Sequence, residues 1–116
     1  MNVQKFYQDT NSNYEQALRL MMNDSLIARM LDMFMQKNAY QDIINYYEQK
    51  DFKSLFAAVH SFKGVTGNLS ITCLYDLSCE ITELTRSGEV VNIDNEIQEL
   101  KKRYEMVVEA YHNCKD

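Results

Sequence analysis

Apolar positions along most of this chain recur at spacings of three and four residues, the period of helices buried on one side. The pattern predicts five helical stretches. The first opens at Ser12, with Glu15 three residues on as a capping box, and carries Ala17, Leu18 and Met21 on one face. Asn23 and Asp24 interrupt it and offer caps for the second, which lines up Leu26, Ile27, Met30, Leu31 and Phe34. That stretch continues, or bends near Asn38, through Ile43, Ile44 and Tyr47. Asp51 caps a third, from about Phe52 to Leu69. The fourth, from about Ile71 to Ser87, shows Leu74, Leu77, Ile81 and Leu84, and Gly88 is its C-terminal stop. The fifth begins after Asn92 or Asp94 and buries Ile97, Leu100, Tyr104, Val107, Val108 and Tyr111. Alternating apolar and polar runs bounded by turn dipeptides, which a sheet requires, are missing.

Composition strengthens the helical reading. There is no proline, and the only glycines are Gly64, Gly67 and Gly88, so few positions break a helix. Long amphipathic helices with short connections pack as neighbours in a bundle. A chain of 116 residues, 46% of them apolar, makes one domain over residues 1–116 with one core. Most of the methionines Met21, Met22, Met30, Met33 and Met35 fall on or beside the apolar stripe, which favours core packing over an adaptable docking surface.

Charge and cysteine content exclude several function classes. A net charge of −5 leaves no basic stripe to neutralise nucleic-acid phosphates. The basic run Lys101, Lys102 and Arg103 is surrounded by Glu96, Glu99 and Glu105 and reads as a solvated helix face. Cys73, Cys79 and Cys114 form an odd set without a CxxC pair, which fits reduced thiols in the cytoplasm better than disulfides or a zinc site. No apolar run approaches the roughly 20 residues of a membrane span, and the N-terminus lacks the apolar stretch of a signal peptide. A cytoplasmic protein, either free-standing or cut from a larger chain, is the expectation.

The third stretch carries the chemistry. At about 100° per residue, Leu55, Ala58, Val59, Phe62, Thr66 and Leu69 form a buried stripe. His60, Lys63, Gly64 and Gly67 gather on the opposite side, with Phe56 and Ala57 one turn earlier. His60 is therefore expected to face solvent. Each glycine costs a helix interior about 0.8–1 kcal/mol relative to alanine. Two on the histidine's face suggest that side chains were removed so that a partner's active site can approach. A neutral imidazole, with a reference pKa near 6.5, is nucleophilic at cytosolic pH and can take a phosphoryl group on a ring nitrogen. Lys63, one turn on, puts an ammonium beside the developing negative charge.

The run His60-Ser61-Phe62-Lys63-Gly64-Val65-Thr66-Gly67-Asn68-Leu69 resembles the signature of histidine-containing phosphotransfer (HPt) domains. The resemblance spans roughly Leu26–Leu84, with Phe34, Asp51, Leu74, Leu77 and Glu80 where that family has like residues. It implies an all-α fold, an antiparallel four-helix bundle with an additional N-terminal covering helix. It also implies a carrier of a two-component phosphorelay, with His60 as phosphoacceptor and Lys63 stabilising the phosphoryl group. Phe56, Ala57, Gly64, Gly67 and Asn68 would form the docking surface. The implied partners are response-regulator receiver domains and a hybrid histidine kinase. The carrier itself would be a monomer needing no cofactor, since Mg2+ belongs to the receiver. One position departs: the family commonly has glycine just after Leu69, where this chain has Ser70.

Two other classes remain to be weighed. Dimerising histidine kinases resemble His followed by an acid, whereas Ser61 follows His60, and no Gly-rich nucleotide segment exists. A phosphorylation-silent adaptor would use the same bundle only for binding. His60 and Lys63 occurring together count against that alternative.

Overall fold

The computed structural model describes residues 1–116. It contains seven helices and no strand: α1 (Val3–Asp9), α2 (Tyr14–Met21), α3 (Asp24–Gln36), α4 (Ala39–Glu48), α5 (Phe52–Asn68), α6 (Thr72–Leu84) and α7 (Asp94–Cys114). The all-α expectation holds, while the number of helices exceeds the five that the apolar pattern predicts. The long middle stretch is broken at Lys37 and Asn38, the only residues between α3 and α4. The extra N-terminal helix, α1, buries Val3, Phe6 and Tyr7, an i, i+3, i+4 triplet whose Asn2 cap accepts a hydrogen bond from the Lys5 amide at 3.0 Å.

The caps explain the other boundary corrections. Asn13, not Ser12, caps α2, because its amide oxygen accepts from the Gln16 N–H at 3.0 Å while the Ser12 hydroxyl bonds with Thr10. Asn23 and Asp51 cap α3 and α5 in the same way, accepting from the Leu26 and Ser54 amides. Helix α6 ends at Leu84 rather than Ser87, and Thr85, Arg86 and Ser87 form a turn into Gly88, whose φ is +76°.

Sharp turns arise here without glycine. Three helices end in the same motif, in which one residue adopts a left-handed conformation and two backwards hydrogen bonds satisfy the last carbonyls. Asn11 (φ 51°) closes α1, Lys50 (φ 58°) closes α4 and Ser70 (φ 54°) closes α5. After α5, the Ser70 N–H donates to the Gly67 carbonyl at 3.1 Å and the Ile71 N–H to the Thr66 carbonyl at 3.0 Å. These connections lay α4 and α6 against α5, and α7 packs on α6 and α1. Helix α1 also touches α2 and α3, which pack on each other.

A single cluster of 25 buried apolar residues runs through the molecule, with contributions from every helix. Phe34 and Phe62 meet at a ring distance of 5.7 Å, and Tyr40 stacks on Tyr104 at 3.8 Å. Tyr104 and Val108 are only half-buried and Leu84 is exposed, so these three positions of the expected apolar faces stand at the rim. The methionine expectation holds for three of the five, which pack against the core. Met21, Met30 and Met35 are half-buried, but Met22 is 80% exposed and Met33 44%. Met22 lies at the C-cap of α2 with φ 77°, outside the helical register. No helix is long and apolar enough to cross a membrane.

The N-terminal segment is anchored at the α5–α6 turn. The buried Tyr7 hydroxyl donates to the Leu69 carbonyl at 2.6 Å, and the Asn13 N–H donates to the Ser70 carbonyl at 3.2 Å. Burial pushes the Tyr7 phenol far above its usual range, which keeps it a donor. Ser70 carries two penalties at this turn: a left-handed backbone on a residue with a Cβ, and a buried hydroxyl oxygen without a partner. Ser70→Gly is expected to raise the unfolding free energy by about 1 kcal/mol, read as a higher urea midpoint at unchanged slope. An unchanged or lower midpoint would show that the hydroxyl has a role the strain argument omits.

Candidate functional site

Helix α5 is buried on one side only. Phe52, Leu55, Val59, Phe62 and Thr66 point into the core, while Ala57, His60, Ser61, Gly64 and Asn68 are exposed. His60 is thus on the solvent side, midway along a 17-residue helix whose N-terminus is capped and whose C-terminus is locked. Its ring stacks on Phe56, four residues earlier, with centroids 5.8 Å apart and planes 19° from parallel. Phe56 is half-buried, so it offers the imidazole a partly fixed neighbour while leaving its other surroundings open.

The remaining residues singled out in the sequence divide between two grooves. Lys63, Gly64, Gly67 and Asn68 line a polar groove of about 510 Å³, closed by Asn13 and Gln16 from the α2 end and by Ser70, Thr72, Tyr75 and Asp76 from the α6 end. Ala57 lines a separate depression of about 390 Å³ between α4 and α5, with Ser54, Ser61, Ala39, Asp42 and Tyr46. His60 lines neither. It stands on the outer face of α5 between them.

The two glycines have different physical causes, which corrects the single explanation expected for both. A Cβ on Gly64 would meet nothing within 4 Å, so this face is open. A Cβ on Gly67 would lie 2.9 Å from the Tyr75 ring, so Gly67 is bare because an aromatic of α6 packs on it. The clearance argument rests on Gly64 alone. Tyr75 was not visible as a neighbour of the signature, because its approach depends on the pairing of α5 with α6.

Two charged residues escaped the sequence reading for the same reason. Glu83, near the end of α6, accepts two hydrogen bonds from the Arg86 guanidinium, at 2.6 and 3.2 Å. The guanidinium carbon lies 5.6 Å from the centroid of the Phe56 ring. Arg86, through its hydrogen bonds and charge, holds the Glu83 carboxyl below the usual carboxylate range, and Lys63 adds a smaller pull in the same direction. The i, i+3 pair of Glu83 and Arg86 is legible in the sequence, but nothing there joins it to Phe56 or Lys63.

No group of three or more His, Cys, Asp or Glu side chains is placed to hold a metal ion, and the three cysteines are unpaired. Chemically, the arrangement offers an exposed imidazole stacked on Phe56, a lysine one turn further along α5, an arginine on the far side of Phe56 and an open backbone at Gly64. Comparison with known proteins identifies no relative: no family model, curated protein or solved structure matches this chain.

The two glycines therefore separate in a stability experiment. Gly64→Ala is expected to stabilise the fold by about 0.8–1 kcal/mol, the helix-propensity difference, since the new methyl group meets nothing. Gly67→Ala should gain less, because Tyr75 must rotate away. Thermal denaturation with the Tyr75 ring resonances followed by NMR checks both, and equal gains with an unmoved Tyr75 would remove the distinction.

Proposed function

We propose that this chain is a histidine phosphocarrier of the HPt type, an antiparallel four-helix bundle under an N-terminal cover formed by α1 and α2. The observation that carries the reading is the environment of His60: solvent-facing, stacked on Phe56, one turn from Lys63, and next to the open backbone at Gly64. The resemblance of His60–Leu69 to the HPt signature supports it. So does the left-handed φ of 54° at Ser70, because a backbone of that kind accounts for the glycine the family commonly has there.

In this reading the donor is an aspartyl phosphate on a response-regulator receiver domain. The lone pair of a His60 ring nitrogen forms the new N–P bond as the P–O bond to the donor carboxylate breaks. The bonding pair leaves with the aspartate, which becomes a carboxylate, and the imidazole proton remains on the other ring nitrogen. The reverse sequence returns the phosphoryl group to a second receiver, so the carrier is a relay without ATP chemistry of its own. Such transfer depends mostly on positioning and charge stabilisation, with Mg2+ supplied by the receiver. Lys63 contributes a cation to the transferring oxygens. Gly64 gives the receiver's aspartate room to approach, and Phe56, Ala57, Gly67 and Asn68 would surround the contact.

The test is phosphoryl uptake from a phosphorylated receiver at neutral pH, read as acid-labile, base-stable label on this chain. Wild type should be labelled, and His60→Gln should carry none while keeping its fold and its binding. Label persisting on His60→Gln would assign the phosphate elsewhere. Gly64→Gln should slow transfer at least tenfold by filling the approach while slightly stabilising α5, and unchanged transfer would sink the clearance argument. Receiver binding with no label on the wild type would move the assignment to a phosphorylation-silent adaptor.

A further inference from the structure

The Arg86 guanidinium stands between two kinds of partner. On one side it makes its two hydrogen bonds to Glu83. On the other it lies against the Phe56 ring, which is the ring stacked on His60. Arg86 follows the C-terminal end of α6, whereas Phe56 and His60 are one turn apart on α5, so this array crosses between helices. Lys63 stands one turn beyond His60 on α5, and its charge adds only a small pull on the Glu83 carboxyl. Arg86, not Lys63, is therefore the cation paired with Glu83.

That carboxylate is a weak competitor. The Glu83 and Arg86 side chains are 65% and 57% exposed, and an ion pair in water exchanges readily. A phosphoryl group on His60 would bring close to two negative charges and three acceptor oxygens to the neighbourhood, against the single charge of Glu83. The planar guanidinium matches phosphoryl oxygens in a bidentate fork and slides over an aromatic face at little cost.

We infer that Arg86 is a second phosphate-holding cation, resting on Glu83 in the free protein and passing along Phe56 to the phosphoryl oxygens when His60 is phosphorylated. The inference deepens the phosphocarrier reading and rests on it. The exchange makes and breaks no covalent bond. One guanidinium–carboxylate pair is replaced by a guanidinium–phosphoryl pair, and Glu83 is left to Lys63 and water. Its consequence is the lifetime of the phosphorylated state. Loss of the phosphoryl group to water needs a water molecule in line with the P–N bond. A guanidinium held across the phosphoryl oxygens before any receiver arrives stabilises the resting phosphorylated state and crowds that line of approach, which slows the loss. Glu83 acts in the opposite sense, by retaining Arg86.

Phosphoramidate, a small-molecule donor that needs no partner protein, provides the test on the full chain. The phosphohistidine resonance is followed by phosphorus NMR at neutral pH as it decays. Arg86→Gln is expected to shorten the half-life about tenfold, the size of one charge-assisted hydrogen bond. Arg86→Lys should recover part of it, and Glu83→Gln should lengthen it. A merely structural role would instead move the thermal midpoints and leave the decay alone. Equal half-lives in wild type, Arg86→Gln and Glu83→Gln would overturn the inference while leaving His60 as phosphoacceptor. A wild-type chain that takes up no phosphoryl group would overturn the phosphocarrier reading, and this inference with it.

Discussion

The turn from Leu69 to Ile71 is the joint on which this structure depends. It ends α5, reverses the chain into α6 and receives the N-terminal segment. Every polar backbone group there is occupied in a specific way: Thr66 and Gly67 carbonyls by the turn itself, Leu69 by the Tyr7 hydroxyl, Ser70 by the Asn13 amide. A buried helix end without such partners would cost several hydrogen bonds' worth of desolvation. The turn therefore couples three things that lie far apart in sequence. The direction of α6 brings Tyr75 over Gly67, and α6 ends near Phe56. The docking of α1 and α2 closes the polar groove beside Lys63.

One-sided burial of α5 is the second constraint, and the candidate site follows from it. A helix covered on both flanks by α4 and α6 still has a strip that no neighbour reaches, and His60 lies on that strip. Packing holds the backbone of α5 while leaving the His60 imidazole in water. The surrounding charges are arranged differently. They sit on exposed, exchangeable side chains, with Glu83 and Arg86 paired outside the core. An imidazole on a packed helix beside exposed counter-charges is the arrangement that the proposed phosphocarrier would use.

Glycine was an imperfect guide in this chain. Two of its three glycines lie inside α5, and only Gly64 leaves open space. The turns that glycine usually marks are made here by Asn11, Lys50 and Ser70 in left-handed conformations. Nothing local announces that Lys50 or Ser70 must adopt such a backbone. The strain is sustained by the hydrogen bonds and burial that each turn completes.

The sequence by itself determined the helical class, the extent of α5 and the outward direction of His60, because apolar periodicity and the Asp51 cap are local properties of consecutive residues. It also placed Lys63 and Gly64 on the histidine's face, since residues three and four apart share a helix surface. Tertiary structure alone decided the rest. The packing of Tyr75 on Gly67, the division of the signature residues between two grooves and the meeting of Arg86 with Phe56 all depend on which helix lies beside which. Those choices follow from how whole faces fill the shared core, and no short window of sequence contains both sides of such a contact.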